Sequence, residues 1–271
     1  GAQPLAVAAL AEDICAADAG GCGGAAYAWP QRGGNSLGNG AAPYAGPSLL
    51  PESPTWTWPN SEDECMRFGP LIDDRGNVYL LTTNGWIRKF DSEGRSLWSW
   101  RTSHQEGKLA TPGALYQGNL YFASFGFGGE ESRGYVFSFD MEMGELNWRS
   151  HLPRGSTYDH LSGGLVVEDG VILTALRDHV NRPSNGRNNK ILALSTEDGR
   201  LLWDFRLERG AVVHDFRPAF PGDGTLLFST PSARAYRLRL GDGAELWKAG
   251  FEEPGERSGS GGGSLGPGGS L

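Results

Sequence analysis

Two dipeptides place an imidazole beside a carboxylate at separate points of this 271-residue chain, Asp159-His160 and His214-Asp215. Arg67 and Arg217 stand in comparable positions, each just before a short apolar run. Imidazole and carboxylate groups bind metal ions, and guanidinium groups bind carboxylates and phosphates. Brought together, these residues would bind an anion, a metal or a peptide.

A long polar segment between residues 177 and 190 adds positive charge. It contains Arg182 and Arg187 and has four cations in all, against the single acid Asp178. If this segment shares a face with the two dipeptides and with the two arginines, the eight residues predict a ligand face. The alternative is that they are solvated, or that they satisfy backbone groups where strands begin. Function is found on loops more often than in cores, which is why the first interpretation is worth testing.

The elements that would position these residues are strands joined by tight turns. Four turn sequences separate pairs of apolar runs, at 74–77, 117–119, 168–170 and 222–224. Asp-Gly and Gly-Asn between runs of strand-forming residues predict hairpins. No segment shows a long apolar stripe at helical spacing. The sequence therefore predicts an all-β fold.

A glycine followed four residues later by a tryptophan recurs, and the tryptophans are 44 to 55 residues apart. This is about the length of one propeller blade. A single sheet leaves one face uncovered, so repeated sheets stack, and a large indole fits between them. The pairs are Gly94 and Trp98, Gly144 and Trp148, Gly199 and Trp203, and Gly243 and Trp247.

The repeat resembles the tryptophan-docking motif of the pyrroloquinoline-quinone (PQQ) β-propellers, A-x-D-x-x-T-G-x-x-x-W. Ala193, Gly199 and Trp203 match it, as do Asp140, Gly144 and Trp148. The resemblance implies a β-propeller of four-stranded antiparallel blades at about 66–102, 111–152, 162–208 and 216–251. Propellers of this type usually have seven or eight blades. The four units therefore favour a partial arc over a closed ring, and completion of the arc by a second copy is a further alternative.

The dehydrogenases of this family hold the quinone under a vicinal cysteine pair and bind calcium. Here Cys15, Cys22 and Cys65 all precede the blades, and none is adjacent to another. We therefore carry over only the structural residues of the motif and no catalytic ones, and we expect neither PQQ nor calcium. Cys15 and Cys22 are either disulfide-bonded or free thiols. Their spacing is not that of a zinc site.

The resemblance favours a non-enzymatic scaffold that binds a protein or peptide through its loop face or its sheet edges. The alternatives are a fragment or divergent relative of a quinone-dependent dehydrogenase, and an accessory subunit of a larger complex. A net charge of −8 argues against a nucleic-acid partner. No apolar run is long enough to span a membrane. Open propeller edges also suggest self-association.

The two ends of the chain are rich in small residues. Residues 1–53 are read as a largely irregular Gly/Ala/Pro-rich leader, with the propeller at 54–252. Residues 253–271 are read as a flexible Gly/Ser-rich tail. Trp56-Thr57-Trp58 is expected to be an outer strand that completes the last blade or caps the first. Residues 1–11 resemble the end of an export segment, which favours an exported location, although a short Ala-rich helix is the alternative.

Overall fold

The computed structural model describes residues 27–42, 49, 51–59, 66–103, 106–125, 134–153, 160–161, 164–177, 189–208, 213, 215–231, 234–250 and 264–265. These ranges contain seventeen β-strands and no helix. They accordingly hold no helix long and apolar enough to cross a membrane. The expected all-β chain of about four antiparallel sheets is confirmed.

Sheets 1 and 2 form from the first half of the chain, and all their pairings are antiparallel. In sheet 1 the strands lie in chain order. In sheet 2 two short strands, β5 and β6, pair side by side along the length of β7. Sheet 1 consists of β1 (Leu71–Ile72), β2 (Val78–Leu81), β3 (Trp86–Phe90) and β4 (Ser96–Arg101). Sheet 2 consists of β5 (Lys108–Leu109), β6 (Ala114–Tyr116), β7 (Asn119–Phe125), β8 (Tyr135–Asp140) and β9 (Leu146–His151).

Sheets 3 and 4 repeat this order in the second half of the chain. Sheet 3 again has two short first strands on one partner, β10 and β11 on β12. It consists of β10 (His160–Leu161), β11 (Val166–Glu168), β12 (Val171–Arg177), β13 (Lys190–Ser195) and β14 (Leu201–Arg206). Sheet 4 consists of β15 (Thr225–Ser229), β16 (Arg234–Arg239) and β17 (Glu245–Gly250).

The number of strands per sheet corrects the prediction of four in every blade. Sheets 2 and 3 have five, and in sheet 2 Pro112 lies at the break between the two short strands. Sheet 4 has three, because its first strand is reduced to one bridge, Ala219 to Leu227. Pro218 and Pro221 flank that bridge. Proline has no backbone N–H to donate, so a strand cannot extend through it with full pairing.

The core lies between successive sheets rather than within one. One buried apolar cluster joins sheets 1 and 2, around Tyr79 and Phe122. A second joins sheets 2 and 3, and a third joins sheets 3 and 4, where Phe228 stacks on Tyr236. Among the residues described, none of the buried clusters joins sheet 4 to sheet 1. Three interfaces for four sheets describe an open row, since a closed ring of four needs a fourth interface.

Each last strand carries a β-bulge just before its tryptophan. In sheet 3, Trp203 pairs with Ala193 whereas Leu201 pairs with Leu194, so Leu202 is the extra residue. The same register shift occurs in sheets 1, 2 and 4. A bulge turns the local strand and re-aims the side chain beside it. Here it points each tryptophan along the row of sheets.

The first three repeat tryptophans make the same contact with the next sheet. Trp203 donates its indole N–H to the carbonyl of Leu240 at 2.8 Å, and its ring lies on Gly243. Trp98 and Trp148 donate likewise to Met141 and Thr196, each at 3.1 Å. Their rings lie on the glycine three residues after the acceptor, Gly144 and Gly199 respectively. We call each of these contacts an indole–glycine junction.

Two properties require glycine at the junctions. Gly199 has φ +70°, a left-handed conformation that side chains rarely adopt. A Cβ added there would also lie only 2.5 Å from the ring of Trp148. The same two properties recur at Gly144 and Gly243. Glycine therefore serves both the turn and the close approach of the indole.

The two ends of the row are covered by residues from outside the sheets. Trp56 lies on Gly94 of sheet 1, as the other tryptophans lie on the glycine of the following sheet. Trp56 also stacks on Phe90 with ring centroids 5.6 Å apart. At the other end Leu265 is buried with Ala219, Leu227 and the partly buried Trp247. Neither covering residue belongs to a strand. The prediction of an outer strand at Trp56–Trp58 is therefore wrong, although the segment covers the first sheet, which was one of its two expected roles.

Candidate functional site

Residues 27–40 run along the first strands of the four sheets, and we call this segment the inner strap. Trp29 exchanges two backbone hydrogen bonds with Ile72 of β1, at 2.9 and 3.0 Å. The carbonyl of the next residue, Pro30, accepts a 2.7 Å hydrogen bond from the amide of Leu115 in β6. Two adjacent residues of the strap are thus bonded to two different sheets.

The strap continues to sheets 3 and 4. The side-chain carbonyl of the buried Gln31 accepts a 3.1 Å hydrogen bond from the amide of Val167 in β11. Ser36 donates its hydroxyl to Glu168 at 2.6 Å, and its carbonyl accepts from the amide of Phe220 at 2.8 Å. One irregular segment therefore satisfies inner-edge donors of all four sheets. No sequence period indicated this role for the leader.

Glu168 is partly buried, and this position affects its protonation. Desolvation is the main effect and raises the pKa of this carboxyl, while the hydrogen bond from Ser36 acts in the opposite direction. A nearby charge on Asp169 adds to the increase. The contact between the strap and sheet 3 thus includes a carboxyl group that resists ionisation more than a free glutamate does.

An open cavity of about 560 Å³ lies between the strap and the starts of sheets 1, 2 and 4, and we call it the inner cavity. Ligand sites of small molecules and peptide side chains have volumes of this order, roughly 300–1,000 Å³. The strap forms one wall, and the segments leading into β1 and β6 form the other. The lining residues are Trp29, Gln31, Arg32, Gly33, Arg67, Phe68, Gly69, Pro70, Leu71, Ala110, Pro112 and Asp215.

Arginines dominate the charge of the inner cavity. Arg32 forms an ion pair with Asp215, and each side chain is about one-third exposed, 34% and 31%. Arg67 is exposed at the rim and has no ion pair or hydrogen bond within the described part of the chain. Arg217 approaches the strap, with its Cδ 3.5 Å from the place of a Cβ on Gly33. Two arginines and one carboxylate therefore line the cavity, and a third arginine lies against the strap beside it.

Asp215 has a left-handed backbone, with φ +59°. An aspartate tolerates this region better than most side chains, but the conformation still costs of order 1 kcal/mol. The strain places the carboxylate opposite Arg32, which lies 183 residues earlier in the chain. This pair therefore joins the strap to the segment that leads into sheet 4.

Three of the eight predicted ligand-face residues come together here. Arg67 and Asp215 line the cavity, and Arg217 abuts the strap beside it. His160 belongs to β10, and only its backbone is described. The other four lie outside the described residues: Asp159, Arg182, Arg187 and His214.

The strap residues of the cavity were missed in the sequence, because the leader was read as irregular. A signal was present nonetheless. The run Trp29-Pro30-Gln31-Arg32 interrupts a stretch made mostly of Gly and Ala. Large and charged side chains in such a stretch indicate a segment that packs against the rest of the fold. The apolar lining residues Phe68 and Pro112 gave no signal of their own.

The residues present do not match the chemistry of a quinone–calcium site. The sequence contains no adjacent cysteines. In the portion of the molecule that can be described, no group of three or more His, Cys, Asp or Glu side chains is arranged to hold a metal ion. The inner cavity itself offers one carboxylate, Asp215, already paired with Arg32.

A family profile described as outer membrane protein assembly factor BamB matches residues 132–257, just under half of the chain. These residues extend from the end of the β7–β8 connection to just past β17. No curated protein matches the sequence. The match therefore covers the last two strands of sheet 2 and all of sheets 3 and 4.

Solved structures with the same fold include a europium-containing methanol dehydrogenase, at 14% identity and TM-score 0.53, over 68% of this chain and 41% of that one. The quinohemoprotein alcohol dehydrogenase of Comamonas testosteroni has 18% identity and TM-score 0.53, over 73% and 38%. BamB of Moraxella catarrhalis has 13% identity and TM-score 0.49, over 66% and 49%. The chain spans less than half the length of each. At such identities the likeness to the two dehydrogenases establishes the β-propeller fold alone.

Proposed function

We propose that this chain, which is built from PQQ-like β-propeller repeats, is a non-enzymatic scaffold that binds a protein or peptide at the inner cavity. The observation that carries the proposal is the convergence of several chain segments on one open cavity. The strap, the segments leading into sheets 1 and 2, and Asp215 before sheet 4 all line it. A site assembled from such distant segments is rigid only when the whole arc is folded.

The composition of the cavity supports a peptide partner. Its walls combine aromatic and proline surfaces, such as Phe68 and Pro70, with guanidinium groups at the rim. Such a surface can accept an apolar side chain and a charged or polar group of one peptide together. The matching family profile is described as an assembly factor, and this wording also favours a protein partner over a small substrate.

The alternative of a quinone-dependent dehydrogenase has less support. The fold is shared with such enzymes, but fold alone does not imply activity. The cysteine pair is missing from the sequence, and the described carboxylates form no cluster for calcium. We therefore propose that the chain uses neither group.

We also propose that the indole–glycine junctions are the docking contacts that make the arc rigid enough to form the site. The junctions connect sheet 1 to 2, 2 to 3 and 3 to 4. Each combines a hydrogen bond with burial of a large ring, which is the combination that stabilises stacked sheets. Trp56 extends the series to the outer face of sheet 1.

Photocrosslinking tests the proposed function with two matched positions. Met66 is exposed beside Arg67 at the cavity, and Met143 is exposed in a β8–β9 turn away from it. A photoreactive amino acid replaces one or the other in the full chain, and each variant is mixed with peptides selected from a displayed library. We expect crosslinks from position 66 and none from position 143.

The same preparation tests the enzymatic alternative. Purified protein is incubated with PQQ and calcium, and dye reduction is followed with alcohols as substrates. We expect no quinone spectrum and no dye reduction. Failure to select any peptide, equal crosslinking from both positions, or quinone-dependent dye reduction would each overturn the proposed function.

A further inference from the structure

We propose that the inner cavity recognises a carboxylate of its partner, together with the apolar side chain next to it, and that Arg67 is the principal recognition residue. The inference rests on the proposed function, because it specifies the chemistry of the same site. It names the ligand class as a peptide carboxylate, at a C-terminus or on an acidic side chain.

The local charge of the site is opposite to that of the chain. Arg32 and Arg67 line the cavity with the single carboxylate of Asp215, and Arg217 lies against the strap nearby, while the whole chain has a net charge of −8. A concentration of positive charge in an otherwise acidic protein attracts anions to that place rather than to the surface in general. The cavity therefore selects for a negative group on the partner.

The guanidinium of Arg67 has N–H donors that can bind a ligand. This guanidinium has five N–H groups in a planar fork and makes no hydrogen bond or ion pair within the described residues. Within the described residues, the only side chain bonded to the Arg32 guanidinium is Asp215, through one nitrogen. A planar carboxylate can accept two parallel hydrogen bonds from such a fork.

Asp215 limits the positive charge that remains for a ligand. Its carboxylate lies at the cavity wall and forms an ion pair with Arg32. Two guanidinium groups and one carboxylate among the lining residues leave a net charge of +1, centred on Arg67. A single carboxylate neutralises this charge, whereas a doubly charged phosphate would leave an excess negative charge in the cavity.

The apolar walls define the rest of the ligand. Trp29, Phe68, Pro70 and Pro112 present rings to the same cavity. A side chain such as phenylalanine gains free energy by leaving water for these surfaces, and it can do so while the neighbouring carboxylate remains at the rim. A carboxylate beside an apolar residue satisfies both parts of the site.

Calorimetry with three short peptides tests the inference on the full chain. The probes are acetyl-Gly-Gly-Phe with a free C-terminus, the same peptide as its amide, and acetyl-Gly-Glu-Phe-amide. We expect the free acid to bind with a Kd of about 1 mM, and the neutral amide at least about tenfold more weakly. The Glu-containing amide shows whether a side-chain carboxylate replaces the terminal one.

Two arginine variants complete the test. Arg67→Glu should weaken binding of the free acid at least about tenfold, and Arg200→Glu, a change at an exposed site on the outer side of sheet 3, should not weaken it. Both sites are exposed, so the melting temperature should stay near that of the wild type. Equal binding of acid and amide, an unaffected Arg67→Glu variant, or no binding of any probe at about 10 mM would overturn the inference. Crosslinking of selected peptides at position 66 would still support the proposed function in each of those cases.

Discussion

On the outer side of the sheets one contact is repeated with the same residue types at the same spacing, whereas the contacts at the inner edge differ in residue type and spacing. Each indole–glycine junction has the same donor, an acceptor three residues before the glycine, and the same left-handed turn. The inner strap pairs with Ile72 through two backbone hydrogen bonds, and a proline carbonyl of the strap accepts from the amide of Leu115. A glutamine side chain of the strap accepts from the amide of Val167, and a serine carbonyl accepts from the amide of Phe220.

The difference separates two ways of holding sheets together. The junctions bury large rings between neighbours, so their stabilisation is mainly hydrophobic and depends on each adjacent pair alone. The strap contributes few large apolar contacts and mainly satisfies donors that would otherwise lie on an open edge. It also supplies one wall of the inner cavity. Structural repetition and the candidate site thus lie on opposite sides of the same sheets.

The largest expected effect is the loss of a complete junction. Trp203→Ala removes the most buried of the junction indoles, 8% exposed, and its hydrogen bond to Leu240. We expect it to lower the free energy of unfolding by about 3–5 kcal/mol, as measured by urea denaturation. Trp247→Ala is the matched control, because the described residues packed with Trp247 are Leu265 and two residues of its own sheet, Ala219 and Leu227.

We expect Trp247→Ala to cost about 1–2 kcal/mol, because the side chain is only partly buried. Equal losses for the two variants would contradict the view that a following sheet provides the stabilisation. Reduced cooperativity in Trp203→Ala alone would agree with it, since the junction between sheets 3 and 4 would open first.

Gly199→Ala should have the next largest effect. The variant forces a side chain into φ +70° and places a Cβ about 2.5 Å from the Trp148 ring. We expect a loss of about 2–4 kcal/mol, from backbone strain and overpacking together. Gly224→Ala has a similar φ, +75°, but no atom within 4 Å of the added Cβ.

Gly224→Ala should therefore cost only about 1–2 kcal/mol, the strain alone. The difference between the two glycine variants measures the close approach of the indole. If thermal unfolding shows the same loss of stability for both variants, the close contact between Gly199 and the Trp148 indole does not contribute to the effect.

The indole–glycine junctions were predictable, because the same residue types recur there at a regular interval in the sequence. A glycine at a fixed distance before each tryptophan indicated both the turn and the ring that packs on the next sheet. The short first strand of sheet 4 was missed, although Pro218 and Pro221 carried the information. Prolines on both sides of a two-residue run leave too few donors for a ladder.

The inner edge was not predictable from patterns. The strap's contacts are largely backbone hydrogen bonds, and these can form with almost any residue. The candidate site could be predicted only in part. Arg67, Asp215 and Arg217 were selected as loop residues of the right charge, but Arg32 and Trp29 come from a leader without a period. The remaining ligand-face residues stay predictions.

A smaller effect is expected at the strap. Gln31→Ala leaves the buried amide of Val167 without its acceptor. We expect a loss of about 1–3 kcal/mol in urea unfolding, which is the usual cost of an unsatisfied buried group. Asn39→Ala removes another strap amide, whose oxygen accepts only solvent-exposed hydrogen bonds, from the Asn35 side chain and the amide of Ala41. That control should stay within about 0.5 kcal/mol of the wild type, and an equal loss would show that Gln31 has no special role.

The smallest expected effect is a change in pH dependence at Glu168. Burial raises the pKa of this carboxyl in the folded protein, so the folded state holds its proton to higher pH than the unfolded state does. Its contribution to stability is therefore greatest at low pH and falls as pH rises from the ordinary glutamate pKa through the raised one. Glu168→Gln removes that fall, because the amide does not ionise.

We expect Glu168→Gln to gain stability relative to the wild type as the pH increases from about 4 to 7 in urea unfolding. The amide oxygen can still accept the hydrogen bond from Ser36. Glu145→Gln, at an exposed site in sheet 2, controls for removal of a surface carboxylate. A constant difference between Glu168→Gln and wild type at every pH would contradict the assignment.

Site-resolved hydrogen exchange of the full chain tests the central claim, that one segment closes the inner edge of all four sheets. The backbone amides of Ile72, Leu115, Val167 and Phe220 all donate to the strap, at 2.7–3.1 Å. We predict that all four exchange slowly, at rates close to those of amides paired inside the sheets. Rapid exchange of these four amides, at the rate of unpaired amides on the outer edge of β17, would contradict the account.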